Sequence, residues 1–202
     1  MSLTLTIIII TSLASVAAFE SRSLFDKFAL SPYAVVHNKE WYRVITHGFI
    51  HADWTHLLIN MLVLYSFGQS LIYYLEICTE KSIIHYLIIY FGGMVCATVT
   101  TIAKHRNNYA YRGIGASGAV SAVLFACIFF NPWSKLLFMG IIPVPGIIFA
   151  VLYLLYCSYM SRNANDNINH DAHFAGAVFG FIYPVFIDPY LLKSFIEMLV
   201  NP

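Results

Sequence analysis

Long, nearly uncharged apolar runs alternate with short polar connections along this chain. Six runs have about the 17–25 residues that a helix needs to cross roughly 30 Å of hydrocarbon. They cover residues 3–19, 52–75, 82–103, 115–131, 136–158 and 171–190. The pattern predicts six membrane-spanning helices, and we expect residues 1–202 to form one all-α, polytopic membrane domain.

Two parts of the pattern need a separate interpretation. The run at 3–19 ends in small residues, as a cleaved signal peptide does, but no positive charge precedes it, because the first Lys or Arg is Arg22. We therefore expect a retained first span. The 20–50 connection is long and aromatic, and its Trp41, Tyr42 and Arg43 suit a segment lying in the lipid headgroup layer.

Composition supports a membrane protein and excludes two other classes. The chain is 59% hydrophobic and 10% charged, against about 45–50% and about 25% in soluble domains. A net charge of +1 offers no basic excess for a nucleic-acid partner. The four cysteines form no CxxC pair or Cys/His cluster in the sequence, and we interpret them as packing residues: Cys78, Cys96, Cys127 and Cys157.

Charge does not decide the orientation of the chain in the membrane. The connections 20–50, 104–114 and 159–170 lie on one side and hold most of the Lys and Arg residues. The positive-inside rule would place that side in the cytoplasm, but most of the excess comes from the single long connection, which the rule handles poorly.

Polar side chains cluster at the beginnings of the second, fourth and sixth runs. His51, His56 and Asn60 begin the second run, where interhelical hydrogen bonding is the alternative role. Ser117 begins the fourth run among glycines, where it could also be a plain N-cap. His173 begins the sixth run beside a ladder of small residues, where it could equally be structural.

These three runs point in the same direction, because two crossings separate each from the next. Their polar beginnings therefore lie on one side of the membrane at a common depth. A serine with a histidine base and nearby hydrogen-bond donors can perform acyl transfer. The Ser117 N–H, the Asn60 amide and the imidazole of either His51 or His56 could hold the oxyanion. Since Asp171 would point away from His173, we expect a dyad without a third carboxylate.

Four segments, taken in order, resemble the rhomboid family of intramembrane serine proteases. They are the Trp41/Arg43 segment, His51-x4-His56-x3-Asn60, Gly115-Ala-Ser117-Gly118 and Ala172-His173-x2-Gly176-x3-Gly180. The resemblance covers essentially the whole chain. It implies a six-helix rhomboid bundle with a long embedded first loop.

The resemblance also implies roles for individual residues. Ser117 would be the nucleophile and His173 the general base. His51, Asn60 and the Ser117 N–H would form the oxyanion hole. Gly115 would shape the loop that leads into the site, and six residues would support it: His56, Gly118, Trp41, Arg43, Gly176 and Gly180.

Substrate and location follow from the same resemblance. The substrates would be single-span membrane proteins, cut in the lipid bilayer near the outer face, with no metal, cofactor or nucleic acid required. The site would open to the extracytoplasmic side of a plasma or inner membrane. Two residues depart from the family pattern: Ser121 replaces an aromatic residue, and the acid that often follows the glycine comes late, as Glu76 after Gly68.

Two other functions compete with this interpretation. A catalytically inactive rhomboid-like protein that binds membrane clients would be expected to lack the serine or the histidine, and both are present. A transporter or metal-handling protein would need carboxylate or thiolate partners for its histidines, and Asp53 is the only acid near the beginning of the second run.

Overall fold

The structure, a computed structural model, describes residues 2–138, 140–163, 166 and 168–201, with Phe138 described by its backbone alone. The longer helices are α1 (Leu3–Glu20), α5 (Trp54–Cys78), α6 (Ser82–His105), α7 (Ser117–Phe130), α8 (Gly146–Asn163) and α9 (His170–Ile182). The 20–50 connection contains α2 (Arg22–Phe28), α3 (Pro32–His37), α4 (Arg43–Thr46) and a 3-10 turn, His47–Phe49. Two short helices, α10 (Pro184–Ile187) and α11 (Tyr190–Val200), follow α9.

Helix α7 is the centre of the bundle. Every residue from Gly118 to Phe129 is buried, because α5, α6, α8 and α9 pack around the helix. An apolar helix buried on all sides needs no amphipathic face, and its sequence is accordingly apolar or small throughout. The bundle therefore holds the first residue of α7 in a fixed position relative to α5 and α9.

The outward faces of the surrounding helices carry large apolar side chains. Leu13 on α1, Leu62 on α5 and Leu155 on α8 are each more than 60% exposed. Within the described ranges, α1, α5 and α6 are long and apolar enough to cross a membrane, and α9–α10 with α11 would make a fourth, bent span. A soluble protein rarely exposes so much contiguous apolar surface, so this is an integral multi-pass membrane protein.

The prediction of a span over residues 136–158 is wrong for its first ten residues. Lys135–Phe138 (β1) and Ile142–Pro145 (β2) form an antiparallel hairpin, with Lys135 opposite Pro145, and α8 begins only at Gly146. Proline lacks a backbone N–H and disfavours helical geometry in the residue before it. Pro143 and Pro145 therefore prevent a helix in this apolar stretch.

The last predicted span, 171–190, is also interrupted. Helix α9 ends at Ile182, α10 covers Pro184–Ile187, and α11 leaves at an angle of 117° to them. The break falls at Asp188 and Pro189, where the proline again excludes a continuous helix.

The 20–50 connection is a folded segment. The Ser21 and Ser31 hydroxyls accept hydrogen bonds from the N–H groups of Leu24 and Ala34 and so cap α2 and α3. The segment packs against α1 and α6. Its placement in the headgroup layer stays a prediction.

Candidate active site

Ser117 and His173 meet where α7 and α9 begin. The Ser117 hydroxyl oxygen lies 2.7 Å from Nε2 of His173, and both residues are partly exposed. Ser117 is the first residue of α7, and no side chain caps this helix. The alternative role of Ser117 as an N-cap therefore does not apply. Its hydroxyl faces the imidazole, while the unpaired N–H groups of the first turn of α7 lie beside it.

Small residues set the spacing between α7 and α9. A Cβ built on Gly176 would overlap the backbone of Gly118, and one built on Gly180 would overlap the backbone of Ala122. On the other side of α7, a Cβ on Gly118 would come within 2.5 Å of the Ala97 methyl group. This close contact of the helices brings the His173 imidazole within hydrogen-bonding distance of Ser117.

The loop before Ser117 depends on Gly115. Its φ of 105° is one that residues with a Cβ rarely adopt, and a Cβ there would lie 2.8 Å from Nε2 of His56. The Gly115 N–H donates to the His47 carbonyl at 3.0 Å, and Gly113 pairs with Leu30 through two backbone hydrogen bonds. The 20–50 connection, here called the first-loop segment, thus holds the loop that leads to Ser117.

Both ring nitrogens of His51 make hydrogen bonds that hold the surrounding structure. Nδ1 lies 2.9 Å from the Ser15 hydroxyl, which itself donates to the Phe49 carbonyl, and Nε2 accepts from the Ala116 N–H at 3.4 Å. Burial lowers the pKa of His51 to about 3, so the ring is neutral, as the accepted bond requires. The family resemblance implies an oxyanion donor here, but this geometry leaves no ring N–H facing the site.

His56 and Asn60 lie next to each other on α5. The Asn60 side-chain amide donates to the His56 carbonyl at 2.9 Å, which leaves its second N–H for another acceptor. The His56 ring stands edge-on to that of His51, 4.9 Å away, and its Nε2 lies beside Gly115. His56 is partly exposed, whereas His51 is fully buried.

Arg43 stabilises the first-loop segment. Its guanidinium donates to the carbonyls of Asp26 and Ala29 at 2.6 and 2.7 Å and pairs with Glu40 at 2.6 Å. The hydrogen bond from Arg43 is the main cause of the lowered pKa of the Glu40 carboxyl. Trp41 is 60% exposed. These two predicted supporting residues lie in the first-loop segment, which contacts the serine loop through its backbone.

Ser121, which departs from the family pattern, is bonded to helix α8. Its hydroxyl lies 3.2 Å from the Tyr153 hydroxyl, and the Tyr153 ring packs against Phe125 and Phe149. An aromatic ring from α8 thus contacts the serine that stands where an aromatic side chain is common in the family.

Sequence reasoning missed several residues around the site. Asn169 caps α9 by accepting from the Ala172 N–H, and its amide donates to Thr101 and Tyr111. An Asn four residues before His173, at a helix start, was a usable signal for this cap.

Three further residues lie near the site. Ser15 contacts His51 from α1, and Cys157 and His170 lie close to His173. Ser15 and Cys157 come from distant parts of the chain, so no local spacing pairs them with these histidines. His170 did have a local signal, because it lies three residues before His173 on one helix face.

Comparisons with known proteins identify the family of this chain. A family model described as "Rhomboid domain" matches residues 38–189. The chain is 30% identical to "Putative rhomboid protease YdcA" of Bacillus subtilis over 147 residues, 73% of this chain and 67% of that protein. It is 29% identical to "RHOMBOID-like protein 12, mitochondrial" of Arabidopsis thaliana over 149 residues, 66% of this chain and 43% of that protein.

A third relative is "Rhomboid protein 1, mitochondrial" of Saccharomyces cerevisiae, 26% identical over 160 residues, 75% of this chain and 43% of that protein. The matched region thus spans less than half of the two mitochondrial relatives. The family match nevertheless covers most of this chain, including the three helix beginnings that carry the polar side chains. This chain belongs to the rhomboid family.

Proposed function

We propose that this protein is an intramembrane serine endopeptidase that cleaves transmembrane segments of single-span membrane proteins. The observation that carries the proposal is the 2.7 Å contact between the Ser117 hydroxyl and Nε2 of His173. A serine hydroxyl becomes a useful nucleophile when a base within hydrogen-bonding distance takes its proton. Membership of the rhomboid family and the relative named "Putative rhomboid protease YdcA" support the same activity.

The first step forms an acyl-enzyme. Ser117 Oγ attacks the carbonyl carbon of the scissile peptide bond while its proton moves to Nε2 of His173. The tetrahedral intermediate then collapses, the C–N bond breaks, and the His173 imidazolium gives its proton to the leaving amine. Water, deprotonated by the neutral His173, hydrolyses the ester and restores Ser117.

The developing oxyanion needs fixed donors. We assign the Ser117 N–H at the positive end of α7, the free N–H of Asn60 and the imidazole of His56 to this role. His56 replaces His51 in the assignment, because both nitrogens of His51 are already bonded to Ser15 and Ala116. His51 then acts through the loop, by holding Ala116 next to the nucleophile.

The surroundings of the dyad support a membrane-embedded substrate. The site lies at the N-terminal end of a buried helix, and the outer faces of the bundle are apolar, which favours a peptide that arrives from the lipid. A substrate segment must unwind before its carbonyl can be attacked, since a helix bonds its own carbonyls. We therefore propose cleavage near helix-breaking small residues.

Cleavage of a single-span substrate in liposomes, together with labelling by a fluorophosphonate, tests the function. Wild type should cleave and label, Ser117→Ala should do neither, and Ser66→Ala, at an exposed serine on α5, should behave as wild type. A folded wild type that neither cleaves nor labels across several substrates would refute the proposal and favour a client-binding protein.

A further inference from the structure

A second cluster of chemically active side chains shares His173 with the dyad. Cys157 on α8 and His170 and His173 in the first turn of α9 each offer one ligand atom, and these atoms all lie within 4.8 Å of one another. Cys157 is fully buried and His170 is 3% exposed. The cluster corrects the expectation that Cys157 belongs to no Cys/His group, because its thiol meets imidazoles of another helix.

The hydrogen bonds of His170 determine which of its nitrogens is free. Nε2 lies 3.2 Å from both carboxylate oxygens of Asp166, and a carboxylate only accepts, so Nε2 carries the proton. In the neutral tautomer with this proton, Nδ1 keeps its lone pair. It is buried and has no hydrogen-bond partner among the described residues. A buried polar atom without a partner is costly, which points to a ligand that the site receives.

The same arrangement is typical of histidines that bind metals. Such a histidine usually donates its other ring N–H to a carboxylate, which fixes the tautomer and strengthens the ligating nitrogen. Asp166 stands in that position relative to His170. Packing alone would account for a buried Cys157. It does not account for a buried, unpartnered imidazole nitrogen on a histidine that also lies close to a thiol and a second imidazole.

We propose that Cys157, His170 and His173 form a binding site for a soft divalent cation such as Zn²⁺, and that its occupancy switches the peptidase off. One thiolate and two imidazoles are a zinc donor set that leaves a fourth position for water. Binding releases the Cys157 proton to solvent. The metal is an inhibitory ligand here, and catalysis does not need it.

Inhibition follows from the chemistry of His173 and rests on the function proposed above. A neutral imidazole has one basic lone pair, and a metal that takes it leaves none for the Ser117 proton. This holds for either ring nitrogen, because coordination at one leaves the other carrying hydrogen. Zn²⁺ therefore competes with the proton transfer that activates Ser117.

Metal binding can be measured without any activity. Zn²⁺ binding to the metal-free protein in detergent is measured by equilibrium dialysis. The Cys157→Ser and His170→Gln variants are measured in the same way. The glutamine amide can keep the hydrogen bond to Asp166, but it lacks Nδ1. Removing a hydrogen-bond partner of a metal ligand typically weakens metal affinity by roughly 10–100-fold. Removing a ligand itself should weaken Zn²⁺ affinity by at least that much. Cys96→Ser, at a thiol outside the cluster, should bind as wild type. Co²⁺ should give a thiolate-to-cobalt charge-transfer band that Cys157→Ser lacks.

Inhibition is then read from fluorophosphonate labelling of Ser117. Zn²⁺ should block labelling of wild type, a chelator should restore it, and Cys157→Ser and His170→Gln should label at the same rate with and without the metal. Equal Zn²⁺ binding in wild type and both variants, or no charge-transfer band in the wild type, would overturn the site. Wild type that binds Zn²⁺ but never labels would refute the proposed peptidase and leave the metal site standing.

Discussion

Gly176 of α9 lies against the backbone of Gly118 of α7 so closely that no side chain fits between them. Each glycine is close in sequence to one member of the dyad, Gly118 directly after Ser117 and Gly176 three residues after His173. The contact between the two backbones therefore sets how far the imidazole stands from the hydroxyl. It links the packing of the bundle directly to the proposed chemistry.

Gly176→Ala should push α9 away from α7. We expect about 100-fold slower fluorophosphonate labelling, since a displacement of about 1 Å can cost that much, and a loss of about 1–3 kcal/mol in stability from overpacking. Labelling rates and thermal unfolding in detergent measure the two effects. Gly92→Ala is the control, because the nearest atoms to its new methyl group are at the end of the Phe179 side chain, which can move by rotation about its Cα–Cβ bond. Wild-type labelling by Gly176→Ala would contradict this account.

His56 and His51 should differ in what their loss affects. His56→Ala should lower kcat by about 100–1,000-fold with a smaller change in KM, as expected for a group that binds the oxyanion. His51→Ala should mainly lower the unfolding temperature, because it leaves Ser15 and the Ala116 N–H without their partner. Steady-state kinetics and thermal unfolding of both variants separate the roles. A stable His51→Ala with the larger fall in kcat would reverse the assignment.

The protein should lose stability in mild acid. Burial lowers the pKa of His47 to about 4 and that of His51 to about 3, both below the unfolded value of about 6.5. The unfolded chain therefore binds more protons between these values, so stability is full above about pH 6.5 and falls as the pH drops towards 4. Unfolding temperatures in detergent from about pH 7.5 to 4.5 test this. His47→Gln should flatten the profile, and an unchanged profile would show that His47 does not contribute.

The beginnings of α5, α7 and α9 should face the extracytoplasmic side. Tyr109, 72% exposed in the loop before α7, lies at that end of the bundle, whereas Cys78 ends α5 at the opposite end. In intact cells a membrane-impermeant maleimide should label Tyr109→Cys and reach Cys78 only after permeabilisation. Tyr109→Cys made in a Cys78→Ser background shows that the label in intact cells does not come from Cys78. Labelling of Cys78 in intact cells, and of Tyr109→Cys only after permeabilisation, would invert the proposed orientation.

The local pattern predicted much of the fold. The helices at 3–19, 52–75 and 82–103 were predicted to within about three residues at each end, because long uncharged apolar runs form helices wherever they are buried in lipid or protein. The hairpin at 135–145 was missed although its signal was present, since a hydropathy criterion does not register the two prolines.

The sequence placed Ser117 and His173 close to each other, as the structure has them, and their catalytic roles stay predictions. Ser117 and His173 stand at helix beginnings on the same side, and parallel helices place such positions at the same end of the bundle. The choice between His51 and His56 depends on Ser15 of α1 and on the path of the 113–116 loop, which no local spacing encodes.

Hydropathy and helical direction are local properties, and they were enough to specify a multi-pass helical protein with a serine and histidines gathered at one end. The 2.7 Å contact of the dyad, the structural use of His51 and the meeting of Cys157 with His170 arise only when the helices pack. They depend on which helices touch and how closely. That closeness is set by small residues on three packed helices acting together, a property that no single segment of the chain carries.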